Sequence, residues 1–287
     1  RVFCAAVCPL GAIQDIVIRR PVKLPRAVAG ALELGPYLAL GLAVLYAVTG
    51  AGFVICRHDP FVGFYRLGAP VTMLVSGAVF LLIGIFVARP YCRFLCPYSV
   101  LLNWMSRFAA RHVTITPDKC VDCRLCEEAC PFDCILPTTP ERPPESRPAA
   151  RRRLGRAVAL LPVSILLGTL AGWSLHSVLA ESHPVVRLAG RISLEERGRS
   201  KTYTVESEAF RGTGQPTAQL YEEARAIVGR FRVGSAMVGG FLGFVVGGQL
   251  AGLALWSRRK EYEIDRGKCL SCGRCFEYCP VGRQAQR

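Results

Sequence analysis

The sequence predicts an α-helical integral membrane protein with about four transmembrane helices and a small α+β domain split between two distant segments. Three observations lead there. Four apolar stretches reach the roughly 20 residues needed to cross a bilayer. The pattern Cys-x2-Cys-x2-Cys-x3-Cys-Pro occurs twice, as "KCVDCRLCEEACP" (Lys119–Pro131) and "KCLSCGRCFEYCP" (Lys268–Pro280), 149 residues apart. A shorter pattern, Cys-x3-Cys-Pro, also occurs twice, at Cys4–Pro9 and Cys92–Pro97, 88 residues apart.

In chain order, residues 1–35 carry the first short motif, "FCAAVCPLGAIQDIVIRR". Proline suits the first turn of a helix. Leu10, Ile13, Ile16 and Val17 then make an amphipathic helix on the inner membrane surface, ending at Arg19 and Arg20. Residues 36–88 form a transmembrane hairpin from two uncharged stretches, Pro36–Ile55 and Leu67–Ala88. Residues 89–116 repeat the first unit, with Leu101, Leu102, Met105 and Phe108 on the apolar face. The first long motif falls in 117–136, followed by a Pro- and Arg-rich linker at 137–156. A second hairpin occupies 157–257. Its spans are Ala157–Ala180 and the glycine-rich Val233–Ser257, where small residues let helices approach closely. Between them lies an outer segment, 181–232, in which "KTYTVES" predicts a strand and "AQLYEEARAIVGRF" a helix entering the last span. Residues 258–287 hold the second long motif.

Four crossings return both long motifs to one side. Segments 1–35, 89–156 and 258–287 hold 25 of the 36 Lys and Arg residues. Positive charge marks the cytoplasmic side, so the cysteines are expected in the cytoplasm. This bias accounts for most of the +15 net charge. The remainder suits an acidic redox partner or an anionic membrane surface. No basic helix carries base-reading residues, which argues against nucleic acid.

Fourteen cysteines in 287 residues invite a disulfide scaffold, but such scaffolds are short and lack membrane spans. Here eight cysteines fall in the pattern that holds [4Fe–4S] clusters. Three thiols of one loop face one cluster, and the Cys before Pro reaches the other. The pattern therefore predicts a split two-[4Fe–4S] ferredoxin-like domain. Cys120, Cys123, Cys126 and Cys279 are assigned to one cluster. Cys269, Cys272, Cys275 and Cys130 are assigned to the second. Zinc sites use separated Cys pairs instead. Cys134 is read as a bystander beside the cluster. Cys4, Cys8, Cys92 and Cys96, at the positive ends of helices that stabilise thiolates, admit two readings: a further metal or redox centre, or buried thiols without a ligand. Cys56 is read as an interfacial thiol. His58, His176 and His183 are read as interface or loop residues rather than haem ligands, since no Cys-x-x-Cys-His is present.

These residues resemble the NosR/NapH-type family of membrane iron–sulfur proteins. The likeness rests on Cys4, Cys8-Pro9, Cys92, Cys96-Pro97, the eight ferredoxin-type cysteines and "DPF" at Asp59–Phe61. It spans residues 1–135 and 258–287. It implies a multi-pass protein of the bacterial inner membrane that passes electrons between a cytoplasmic or quinone-pool donor and a periplasmic redox partner. The donor implied is an acidic flavodoxin or ferredoxin, or a quinone-linked subunit. The chain starts at Arg1, inside a motif, so it reads as a fragment of a longer protein. NosR-type members carry a flavin domain upstream. FMN is accordingly expected only in an N-terminal part outside this sequence. The hairpin between the two ferredoxin halves departs from the family's close pairing. The expected role is electron transfer, with no residue needed as acid, base or nucleophile. The alternative is a membrane redox sensor or a metalloenzyme maturation factor using the same clusters.

Overall fold

A computed structural model describes residues 3–4, 7–19, 21–52, 59–61, 68, 70–110, 113–115, 120–139, 146–199, 203–254 and 259–281. The chain is mostly helical and divides into two compact units. One is formed from the chain up to Leu40, from 58 to 151 and from 255 onward; the other from 41 to 57 and from 152 to 254.

In the first unit, α1 (Pro9–Val17) starts on Pro9 directly after Cys8. Gly11 and Gln14 are its buried face. A Cβ at Gly11 would strike the Cys4 carbonyl oxygen, so glycine lets the helix fold back on its own motif. After α1 the backbone runs beside the end of α4 (Val71–Gly84), with Val22 N–H donating to Phe86 O at 2.7 Å. Between them in the chain come α2 (Arg26–Leu32) and α3 (Gly35–Thr49), which passes into the second unit after Leu40. The second short motif spans α5 (Pro90–Phe94), and Pro97 caps α6 (Tyr98–Arg107). Both amphipathic helices expected after the Cys-Pro pairs are present.

The long motifs meet in the same unit. Each contributes a short helix, α7 (Leu125–Ala129) and α12 (Arg274–Glu277), and these pack on each other. Each also contributes a two-residue strand, β1 (Ile135–Leu136) and β2 (Glu263–Ile264). They pair antiparallel, Ile135 with Ile264 and Leu136 with Glu263. Asp265 N–H donates to Cys134 O at 2.8 Å, and Thr139 N–H to Arg259 O at 3.0 Å, extending the junction. Phe132, Cys134 and Leu270 bury together with Ala88 beneath it.

The second unit is built on α8 (Arg147–Ala180, from residue 152) and α11 (Thr217–Ala254). Their contact is made of small residues. A Cβ on Gly239 would strike Gly168 O, one on Gly243 would strike Ser164 O, and one on Gly172 would strike Ser235 O. The backbones therefore approach as only glycine permits. Tyr46, Ala180, Ile227 and Phe231 form an adjoining core, with Tyr46 and Phe231 edge to face at 5.9 Å. Outside the spans, α9 (Pro184–Glu196) and α10 (Val205–Gly212) pack on α11 through Ile192, Phe210, Leu220 and Ala224.

Among the described residues, three helical stretches are long and apolar enough to cross a membrane: Ala27–Thr49 (α2 and α3 taken together), Arg147–Ala180 and Thr217–Leu253. The fourth expected span contains α4, whose 14 residues reach about 21 Å against a hydrocarbon core of about 30 Å. Pro70 is its N-cap, in extended backbone, and it ends at Gly84. Two boundaries also shift. The helix begins at Arg147, so the second half of the expected 137–156 linker is helical. The described part of the expected strand "KTYTVES" instead opens α10, because Thr204 and Ser207 exchange capping hydrogen bonds. The capping box that sets the helix start is a Thr and a Ser three apart. The helix entering the last span matches its expectation, as α11 runs unbroken from Thr217.

Candidate metal centres

Each long motif curls through left-handed backbone at matching positions. These are Asp122 and Arg124 in the first copy, and Ser271 and Gly273 in the second, with φ between 51° and 80°. Such residues reverse the chain between successive cysteines, which is how thiols two residues apart come to face one centre.

Two cavities result. One, of about 490 Å3, is lined by Cys120, Cys123 and Cys126 of the first copy and by Cys279 of the second. Tyr262, Phe276 and Cys275 also line it. The smaller one is lined by Cys269, Cys272 and Cys275 of the second copy, with Cys130 and Cys134 of the first. Each cavity thus gathers three thiols of one motif and the Cys-Pro thiol of the other. Cys120, Cys123 and Cys272 are exposed, whereas the other five are partly buried.

The electrostatics differ between the sites. Cys130 is brought down to about 6 by the adjacent Cys134 side chain and, against burial, by the backbone N–H groups of Cys134, Phe132 and Asp133, while the Cys134 thiol itself is placed to donate to Phe132 O at 3.6 Å. Cys134 N–H lies 3.4 Å from Cys130 Sγ. Cys134 itself is buried and held well above the ordinary thiol range by the adjacent Cys130 side chain and by burial. It is therefore a thiolate-stabilising neighbour, a role that cysteine spacing did not reveal. Burial pushes Cys275 up to about 11 and raises Cys126. Among the described residues, no three His, Cys, Asp or Glu side chains are placed to hold a single metal ion. The ligands of one tetrahedral ion lie within about 4 Å of one another. The thiols that line each cavity are the donor type a [4Fe–4S] cluster takes; Asp122 and Arg124 also line the first, and Ser271 and Arg274 the second, whose free volume is only about 30 Å3.

The short motifs also converge. Cys92 lies within electrostatic reach of Cys96 and Cys8, and Cys96 within reach of Cys4 and Cys8. Burial pushes Cys92 up to about 12, and Gln14, whose Nε2 is 3.1 Å from Cys92 Sγ, acts against it. Cys96 accepts from the N–H groups of Tyr98 and Ser99 at the start of α6. Burial nonetheless raises it, so here desolvation outweighs the helix end expected to stabilise a thiolate. The site has a polar frame. Gln14 is fully buried, donates to Leu10 O at 2.7 Å and accepts from Tyr91 N–H at 3.2 Å. Tyr91 Oη donates to Asp59 Oδ2 at 2.7 Å, and Phe61 N–H donates to Asp59 Oδ1 at 2.9 Å. "DPF" is thereby tied to the second short motif. Arg89 is paired with Asp15. Cys56 and His58 lie outside the described residues. His183 caps α9, and His176 Nδ1 bonds the Trp173 carbonyl.

Cysteine cavities of this donor set, with long apolar helices, define a membrane-associated iron–sulfur protein with a general electron-transfer role. Models of 4Fe-4S binding domains match residues 113–136, 263–284, and 1–27 with 69–116. The chain is similar to an uncharacterized protein of Methanocaldococcus jannaschii, 29% identical over 141 residues, covering 46% of this chain and 52% of that one. It is similar to YccM of Escherichia coli, a protein named for electron transport, 24% identical over 148 residues (46% and 41% of the two chains). It is also similar to the regulatory protein NosR of Stutzerimonas stutzeri, 27% identical over 150 residues (47% and 20%). The resemblance to NosR-type iron–sulfur proteins therefore holds, and the chain spans about half or less of the length of these relatives. No solved structure matches it.

Proposed function

We propose that the protein is a membrane-bound electron carrier with two [4Fe–4S] clusters bound in crossed fashion. Cys120, Cys123, Cys126 and Cys279 hold one; Cys269, Cys272, Cys275 and Cys130 hold the other. The observation that carries this reading is the composition of the two cavities, each completed by the other motif's Cys-Pro thiol. When bound, the clusters supply one-electron transfer at low potential. The protein's residues space the thiolates and leave Cys120, Cys123 and Cys272 exposed while partly burying the other five. The exposed Cys120 and Cys123 suit electron entry from an acidic soluble donor of the flavodoxin or ferredoxin class.

We assign Cys4, Cys8, Cys92 and Cys96 to a third redox centre, supported by their convergence and by the 4Fe-4S domain model matching both short motifs. The cluster domain faces the cytoplasm of a bacterial inner membrane, and the chain crosses four times, α4 and its flanks included. Parity and the charge of the short loops support this topology. From the third centre electrons pass toward a quinone-linked or periplasmic partner.

The test is Cys279→Ser on anaerobically purified protein, with iron, acid-labile sulfide and EPR after dithionite. Crossed ligation perturbs the cluster of Cys120, Cys123 and Cys126. A change confined to the cluster of Cys269, Cys272 and Cys275 sinks the assignment. Zinc in place of iron sinks electron transfer altogether.

A further inference from the structure

Arg89 is 1% exposed, among the most deeply buried side chains of the described structure. Its backbone is left-handed, at φ 47° and ψ 60°, which non-glycine residues rarely adopt. All three of its guanidinium nitrogens donate. Nε and Nη2 grip the two carboxylate oxygens of Asp15, the first at 2.6 Å. Nη1 donates to Cys4 O at 2.8 Å. Its outer face stacks 5.8 Å from the ring of Phe132, which packs in the same apolar cluster as Cys4, Cys130 and Cys269. Cys92 and Cys4 both lie within electrostatic reach of it. A permanent cation is therefore held between the short-motif thiols and the Cys130 side of the ferredoxin-like domain. Asp15, 37% exposed, faces it from the solvent side.

Burying an arginine costs several kcal/mol unless it is paired and hydrogen-bonded. A purely structural clamp would not require a charge at this point. A thiolate-ligated centre is anionic and becomes more so on reduction, so a fixed cation nearby favours the reduced state. We propose that Arg89 is the positioning residue that poises the redox centre of Cys4, Cys8, Cys92 and Cys96, raising its potential, with Asp15 as the counterweight that limits the effect. The proposal rests on the third centre assigned above. The step is a one-electron reduction in which no bond forms or breaks. The electron comes from the low-potential donor class already named, or from dithionite in vitro.

The signature is a pair of opposite shifts. The readout is an EPR-monitored redox titration of the signal that Cys4→Ser abolishes, in the full chain, with iron content checked in each variant. Arg89→Gln moves the midpoint to lower potential, Asp15→Asn moves it to higher potential, and Arg89→Lys restores most of the wild-type value. A residue that only braces the fold would disturb the centre in the same direction in both variants; that result overturns the assignment. If Arg89→Gln loads no iron, Asp15→Asn decides alone: a rise supports Arg89's role, and no change or a fall overturns it. If Cys4→Ser removes no signal and no iron, the third centre itself fails and Arg89's role goes with it. Loss of that signal with shifts of equal sign leaves the centre standing and removes only Arg89.

Discussion

At the scale of single residues, hydrogen bonds to sulfur and buried carboxylates decide most of the chemistry. Cys134→Ala removes the thiol that holds Cys130 near 6. The Cys130 pKa rises, its thiolate fraction at neutral pH falls, and alkylation of the iron-free protein at pH 7 slows severalfold. A pH–rate profile of alkylation with mass-spectrometric site assignment checks this; an unchanged profile would contradict that role. Tyr91→Phe deprives the buried Asp59 of one of its two described donors. Leaving that carboxylate under-satisfied costs about 1–3 kcal/mol, read as a lowered Tm in detergent. The eight ferredoxin-type cysteines were legible from the sequence because ligand spacing is a local property. Gln14, Asp15 and Arg89 were not, since their partners lie more than 70 positions away and nothing local marks a side chain as one end of a long-range pair.

At the scale of elements, helix packing here depends on the absence of side chains. Gly239→Leu places a side chain against the Gly168 backbone, where no rotamer gives relief. The cost is of the order of 1–3 kcal/mol or more. The expected outcome is a sharp fall in folded yield, measured by size-exclusion chromatography in detergent, whereas Gly248→Ala, with open space around it, is tolerated. The glycine spacing of the last span made this contact readable in advance, although its partner helix was not identified. The elements misjudged from sequence were those governed by a single competing signal. The Thr204–Ser207 box turned an apparent strand into a helix, and the helix starting at Arg147 took over half of an expected linker.

At the scale of the whole molecule, the proposed docking of an acidic donor rests on the +15 charge and the exposed thiols of the first motif, and it is open to a direct test. Reduction by a soluble flavodoxin or ferredoxin is expected to slow severalfold between about 0.05 and 0.5 M salt as charges are screened. Stopped-flow rates that do not change with salt would exclude this docking mode. The split of the cysteine patterns across the chain and their reunion in one domain were both expected from the crossed ligand pattern; the β1–β2 pair that joins the halves was not. That pairing also sets a schedule for biogenesis. Ile135 leaves the ribosome well before Ile264, about ten seconds earlier at ordinary synthesis rates. Through that interval the first half has no strand to pair with, and Cys120, Cys123 and Cys126 lack their fourth partner. On the proposed crossed ligation, both ferredoxin-type sites are completed only after the last helix is made, so a nascent chain that stalls before it would carry neither of those two clusters.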